Sequence, residues 1–450
     1  MQWIIKKMLD ELGGEANATL YDLSVPLFLH CKQHEAEILD DLPHHNGSQV
    51  HLIRTAVQLI AADPERRISQ QLISMVKRAT DNATDTFHVL KCIDEVARQP
   101  VACSPLNRLF RDVAHVTPIR DTAWNILTDE KVALQRTFRD IGSRIENFLD
   151  NISLVRLWPG DYRIDWNTDI GTYFHGMSMG ADGSGVVIGI AQWRPAGCHC
   201  EIVPNGSGSF IVRGWSDAKT TLLQAALTST VRKAVECRIE ILVLPELTMS
   251  PELLDHLRQE LTRSGKASPL RLVVAGSYHD EQKSGTSGAR NVCHVLSGDG
   301  QVLGSVYKMS RYHHDDGQDE GISIGERRIL VADTPAGRIA VVICLDYINP
   351  DVYERLAELR PHLVLVPAMS KNLLRFEHVS RLLGEHNSTV TAVANCPPPL
   401  CGAGDVKNLG YVYAPVKGKH LDHGFARLAN DNQMLWLNIG QTIKYKQLKL

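Results

Sequence analysis

From Trp3 to about Asn151 the apolar residues recur three and four positions apart, as at Ile53, Ala56, Leu59 and Ile60 and again at Ile141, Ile145, Phe148 and Leu149. A 3.6-residue turn stacks positions so spaced on one side, so the pattern predicts a run of amphipathic helices. Gly13-Gly14, the His44-His45-Asn46-Gly47 turn, Asp63-Pro64, Pro100 and Pro105 interrupt it, because glycine and proline end helices. Six or seven helices are expected. Paired helices of uneven length are readable, and since no motif repeats at a fixed period a solenoid of helical hairpins stays an open alternative.

The pattern changes across His175 to Gly185, a small, polar, glycine-rich stretch. Beyond it come short apolar runs rich in Val and Ile: GVVIGIAQW, IEILVLPE, LRLVVAGS, VCHVLS, QVLGSVYK, RIAVVICLD, HLVLVPA and TVTAVAN. Runs of four to eight such residues with polar or glycine edges predict buried strands. Helical stretches lie between several of them, at Asp217 to Cys237, Pro251 to Ser264, Asp351 to Leu359 and Phe376 to Asn387. The alternation predicts a layered α/β domain. The expected organisation is an all-α domain over 1–176, a linker at 177–182, and an α/β domain over 183–450.

A chain of 450 residues with 44% hydrophobic content can fill two or three ordinary cores. The net charge of −3 gives no global attraction to nucleic acid or to an anionic membrane. Lys6, Lys7, Asp10 and Glu11 interrupt the first apolar residues, unlike a signal peptide, and no later run approaches the ~18 apolar residues of a membrane span. A cytoplasmic location is expected. The ten cysteines are scattered, mostly in apolar runs, which argues for reduced thiols over a disulfide framework.

Three predicted strands end in a reactive side chain: Glu246 after ILVLP, Lys308 after VLGSVY and Cys344 after AVVI. Loops at strand ends open the crevice in which an α/β sheet presents ligands. A thiol to attack a carbonyl carbon, a carboxylate to move the proton and an ammonium to stabilise the oxyanion suffice for acyl transfer. Singly, a loop glutamate or lysine is usually solvated and a strand cysteine usually just buried. Their conjunction is the signal.

LPE at 244–246, Tyr307-Lys308 and ICLDYINP at 343–350 together resemble the nitrilase, or carbon-nitrogen hydrolase, superfamily. The resemblance spans roughly 183–440 and takes in VVIGIAQW, LVLVPA and the late GYVYAP. It implies a four-layer α-β-β-α sandwich and hydrolysis of amides, carbamoyl compounds or nitriles through a thioester, without metal or organic cofactor. It also implies roles: Glu246 as general base, Lys308 as oxyanion stabiliser, Cys344 as nucleophile, with the N–H of Leu345 as a further oxyanion donor. A second glutamate shortly after the lysine matches Glu320 better than Glu326, because Gly-Ile-Ser-Ile-Gly follows it.

Nitrile hydrolysers of the family carry Trp-Glu after the cysteine; Leu345-Asp346 stands here, so amide-type bonds are expected. The family's usual His two positions after the lysine is absent from Lys308-Met309-Ser310, a local departure. A homo-oligomer, a small-molecule amide substrate and a protein partner for the helical domain complete the expectations. The alternative is a nitrilase-like scaffold with little turnover, recruited through its helices, with a bacterial multi-component defence system as one setting for it. His313-His314-Asp315-Asp316 and the set Cys198, His199, Cys200, Cys396 and Cys401 contain metal-ligand types but lack zinc spacing and read as loop residues. Lys371, Asn372 and Arg375, in a loop that forms part of the substrate wall in related proteins, read as a solvated basic turn, with a site for an anionic substrate group as the alternative.

Overall fold

The computed structural model describes residues 2–42, 50–61, 67–96, 109–110, 114–118, 145, 149, 152–156, 162–174, 186–194, 198, 200–204, 208–265, 268–281, 289–313, 317–334, 337–387, 389–396, 398, 409–415, 425–428, 433–439 and 443–449. The chain divides into two compact units, one of residues 1–120 and 131–159 and one of 121–130 and 160–450. The expected turn at 44–47, the breaks at 63–64, 100 and 105, the linker at 177–182 and most of the 141–149 pattern lie outside the described residues.

Among its described residues the first unit has the helices α1 (Gln2–Gly14), α2 (Leu20–Gln33), α3 (Glu35–Asp41), α4 (His51–Ala61), α5 (Gln70–Ala79) and α6 (Ala83–Val96). The helix α2 is buried all round from Leu20 to Cys31, so it is the centre of the unit. A capping box starts it: the Thr19 hydroxyl accepts from Asp22 N–H at 3.3 Å and the Asp22 carboxylate accepts from Thr19 N–H at 2.9 Å. Leu23, Leu27 and Phe28 of α2 share one core with Leu9, Val57, Val76, Phe87 and Leu90. On α4 the buried face is Ile53 and Val57, whereas Leu59, expected inside, is exposed. The unit is not all helical. Strands β1 (Ala114–Pro118) and β2 (Ile152–Arg156) pair antiparallel, a feature that five-residue runs with polar neighbours did not announce.

The second unit is mixed α/β. Its remaining strands are β3 (Tyr162–Trp166), β4 (Val186–Gln192), β5 (Glu201–Pro204), β6 (Ser209–Arg213), β7 (Ile241–Val243), β8 (Leu272–Asp280), β9 (Arg290–Ser297), β10 (Val302–Tyr307), β11 (Asp319–Glu320), β12 (Arg327–Thr334), β13 (Gly337–Val341), β14 (Leu363–Ala368), β15 (Val390–Asn395), β16 (Gly410–Tyr413), β17 (Phe425–Arg427), β18 (Gln433–Ile439) and β19 (Ile443–Lys449). Helices are α7 (Thr168–Tyr173), α8 (Asp217–Glu236), α9 (Pro251–Ser264), α10 (Leu345–Ile348), α11 (Pro350–Leu359) and α12 (Leu374–Asn387). One seven-stranded sheet runs β10-β9-β8-β7-β4-β18-β19 and the other β17-β16-β15-β14-β13-β12-β3; β11, β6 and β5 form a third, small sheet.

The parallel centres of the large sheets, β4-β7-β8 and β13-β14-β15, are buried on both faces, as their continuous apolar runs require. Alternate residues Val187, Ala191, Leu242 and Val273 of the first sheet share a core with Leu223, Leu227 and Val231 of α8 and Leu253, Leu257 and Leu261 of α9. Intervening residues face the other sheet. There β16 approaches β4 so closely that a Cβ at Gly410 would lie 3.1 Å from Ile190 Cδ1.

Residues 162–174, assigned from sequence to the helical domain, belong to this unit. β3 adds in parallel to β12, with Tyr162 opposite Arg327 and Trp166 opposite Val331. Asn167 then caps α7 through Ile170 N–H and donates its own Nδ2 to Leu303 O at 2.8 Å. The mixed polar sequence YRIDW hides this edge strand from a search for apolar runs.

Candidate active site

The loop after β7 carries Glu246 and crosses to the second sheet, where Glu246 N–H bonds Ala368 O of β14 at 3.3 Å. Its far side is pinned to β8. Leu247 N–H donates to the Ser277 hydroxyl at 3.1 Å and Met249 N–H to Ser277 O at 3.1 Å. Those bonds follow from a bulge in β8 between Val274 and Ser277, centred on Gly276 at φ +75. Lys308 follows β10 and its N–H bonds Asn291 O of β9 at 2.9 Å.

Cys344 sits between β13 and α10 with φ 47 and ψ −112, a left-handed turn that costs a non-glycine residue energy. The turn is held by Cys344 N–H to Pro367 O at 2.8 Å and Tyr347 N–H to Cys344 O at 2.9 Å. Tyr347 in turn is anchored by its hydroxyl, 3.0 Å from Ser380 Oγ of α12 and 3.0 Å from Thr391 Oγ1 of β15. The result is a cysteine at a strained strand-to-helix corner, with its backbone over-determined from three elements.

These elements bring Glu246, Lys308, Glu320 and Cys344 together, all within 5% of full burial. Lys308 Nζ lies 2.8 Å from Glu246 Oε1 and 2.6 Å from Glu320 Oε2. Asn291 Nδ2 donates to both carboxylates, at 3.0 Å to Glu246 Oε1 and 2.9 Å to Glu320 Oε1. The other Glu246 oxygen accepts from Met369 N–H at 2.9 Å, and the Cys344 thiol points at Met369 O at 3.8 Å. Glu320 is further held by Tyr312 N–H at 3.1 Å and by the His279 ring at 3.0 Å.

Charge at the cluster follows from burial and these partners. Burial alone would lower the Lys308 ammonium, but Glu246 and Glu320 outweigh it and hold the lysine well above its ordinary value. Burial would raise Glu320, yet Lys308 and the His279 hydrogen bond hold its carboxyl well below the usual range. The Cys344 thiol is pushed well up, first by burial and then by the negative charge and hydrogen bonding of Glu246, with Lys308 opposing. A neutral thiol therefore rests against the Glu246 side chain, beside a permanent ammonium. Asp346, two residues on and wholly buried, is raised to about 7 by burial, against the opposing 2.9 Å bond from Met309 N–H.

Other candidates lie elsewhere. Glu326 is exposed and paired with Arg163 and Arg328. His313 pairs with Asp319 at the surface, while His314, Asp315 and Asp316 are outside the described residues. Cys198 and Cys200 are buried in different apolar clusters, Cys396 Sγ accepts from Gln192 Nε2 at 3.8 Å, and Cys401 is outside the described residues. No group of His, Cys, Asp and Glu suited to a metal occurs among the described residues. Lys371, Asn372 and Arg375 are exposed just past Ser370, whose N–H and C=O are tied to the Asn395 side chain at 2.8 and 3.0 Å.

Sequence reasoning missed Asn291 and His279. Asn291 had a weak signal, a polar residue opening the VCHVLS strand; His279 had none, since one histidine at the end of an apolar strand carries no spacing. No helix among the described residues is long and apolar enough to cross a membrane.

No protein-family model matches the chain, and no curated protein matches it. Solved structures of nitrilase superfamily members are similar to its C-terminal part and leave the N-terminal region uncovered. Nit3 of Saccharomyces cerevisiae is 16% identical, over 59% of this chain and 90% of that one, with a TM-score of 0.39. An amidase mutant from Nesterenkonia sp. AN1, with the acetamide moiety of fluoroacetamide added covalently at its active-site cysteine, is 18% identical over 58% and 92%, with a TM-score of 0.41. The C. elegans NitFhit protein is 16% identical over 57% and 61%, with a TM-score of 0.40.

Proposed function

We propose that the second unit is a carbon-nitrogen hydrolase of the nitrilase superfamily, a four-layer α-β-β-α sandwich that cleaves non-peptide amide or carbamoyl-type C–N bonds. The layering is supported by two seven-stranded sheets facing each other, with α8 and α9 against one. The activity rests on one observation above the rest: a buried ammonium bridging two carboxylates beside a cysteine on a strained turn.

In the proposed reaction Cys344 Sγ attacks the substrate carbonyl carbon as its proton passes to Glu246. Lys308, with the N–H of Leu345, stabilises the oxyanion. Collapse expels the amine, which takes the proton from Glu246, and leaves a thioester on Cys344. Water then attacks the thioester as Glu246 takes its proton, and the second collapse releases the acid and returns the proton to sulfur.

Glu320 has no part in the proton transfers. Each of its oxygens already accepts from two donors, so it serves as a fixed counter-charge that keeps Lys308 in place. The reading is tested by ammonia or amine release across a panel of amides, carbamoyl compounds and nitriles, using wild type and Cys344→Ala. Release from an amide that vanishes in the variant is the expected result; equal release from both would overturn the reading.

A further inference from the structure

The third sheet is built into the site twice. Its strand β6 pairs in parallel with β11, setting Phe210 beside Glu320, and Gly321 N–H bonds Phe210 O at 2.7 Å. The same strand turns Val212 N–H onto His279 Nδ1 at 2.8 Å. A ring nitrogen that accepts from an amide carries no proton, so His279 must hold its hydrogen on Nε2. Nε2 is the atom that faces Glu320 Oε1 at 3.0 Å. Both side chains are shut away from water, at 0% and 1% exposure, so solvent cannot replace the bond.

We propose that His279 is a positioning residue of the candidate site: locked by Val212 N–H in its neutral Nε2–H tautomer, it fixes Glu320 and through it Lys308. The hairpin β5-β6 is thereby a working part of the site, since it supplies the amide that selects the tautomer. This inference rests on the cluster around Cys344 being catalytic, but its geometry can be tested without any substrate.

With histidine labelled in nitrogen-15, NMR of the full chain should show the His279 signals of a neutral ring protonated at Nε2, assigned by their loss in His279→Gln. The second arm measures alkylation of Cys344 by iodoacetamide against pH, mapped by peptide mass. In His279→Gln the carboxamide nitrogen occupies the place of Nε2 and should keep the rate within about threefold of wild type, because the bond to a charged acceptor survives. In His279→Asn the shorter amide reaches only the place of Nδ1, satisfies Val212 and leaves Glu320 one donor short. Its charge then bears more strongly on the thiol and Lys308 loses alignment. Alkylation should slow about tenfold and its midpoint move to higher pH, as expected from losing one charge-assisted bond.

A ring protonated at Nδ1, or a doubly protonated one, would overturn the proposal whether or not the variants fold. So would an Asn variant with the wild-type profile. Should the predicted tautomer and profiles appear while no amide is turned over, the positioning stands and the proposed reaction fails.

Discussion

Lys308 is the side chain on which most of the site's electrostatics depends. Both carboxylates beside it are buried, and removing a buried pair's only cation leaves charge uncompensated, at a cost of roughly 3–5 kcal/mol. Lys308→Met should therefore lose stability as well as any turnover, whereas Cys344→Ala, which removes a neutral thiol, should unfold at nearly the wild-type temperature. Thermal unfolding of the two variants side by side checks this. Asp346 makes a prediction of opposite character. Its folded value, about 7, is above its ordinary 3.8, so the folded state holds a proton that the unfolded state has released. Stability from this group is complete below pH 4 and declines as pH rises to about 7, by up to roughly 4 kcal/mol. Asp346→Asn stays neutral throughout, so its stability relative to wild type should rise between pH 4 and 8. An unchanged difference across that range would contradict the assignment. Of the residues involved, Glu246, Lys308, Glu320 and Cys344 were legible because each sits at a strand end or in a family-like segment. Asn291 and His279 were not, because what matters is which partner they meet across strands, and sequence spacing does not encode that.

Among elements, the bulge in β8 does most to aim the glutamate loop. Gly276 has φ +75, and a Cβ there would run into Pro245 O, the carbonyl just before Glu246. Gly276→Ala should thus cost roughly 2–4 kcal/mol and displace Glu246, with activity falling even at temperatures where the variant is folded. Denaturant unfolding and an activity assay below the transition separate the two effects. The central strands and the helices α8, α9, α11 and α12 were readable because fully buried parallel strands and amphipathic helices have distinct periods. The helix α9 ends where expected, at Pro251 and Ser264, since Ser250 caps it and Gly265 stops it. Among the strands that escaped, β3, β5, β6, β12, β18 and β19 carry charged or polar residues among apolar ones. For β3, β5 and β19 the reason is position, since each lies at a sheet edge with one side unpaired.

At the level of the chain, the first unit owes its order to its own buried core around α2, and the second to two sheets whose strands run from β3 to β19. The change in sequence character near 175–185 marks where strands become obvious rather than where the second unit begins. The difference is testable by truncation. A fragment of residues 160–450 keeps β3 against β12 and should be soluble and cooperatively folded. A fragment of 177–450 bares the edge of β12 and should aggregate or unfold at a lower temperature. Equal behaviour of the two fragments would put the boundary back at 177–182. The sequence offered no motif for the helical unit, whose helices are ordinary in spacing and capping and whose two-stranded pairing joins residues far apart in the chain.

The central claim is that Cys344 forms a covalent acyl intermediate, and intact mass spectrometry of the full chain after acid quenching tests it most directly. Exposed to an amide that it turns over, the wild-type protein should gain the mass of the acyl group with loss of the amine, at a peptide containing Cys344, and Cys344→Ala should gain nothing. Turnover that persists in Cys344→Ala, or an adduct carried on any other residue, would contradict the account.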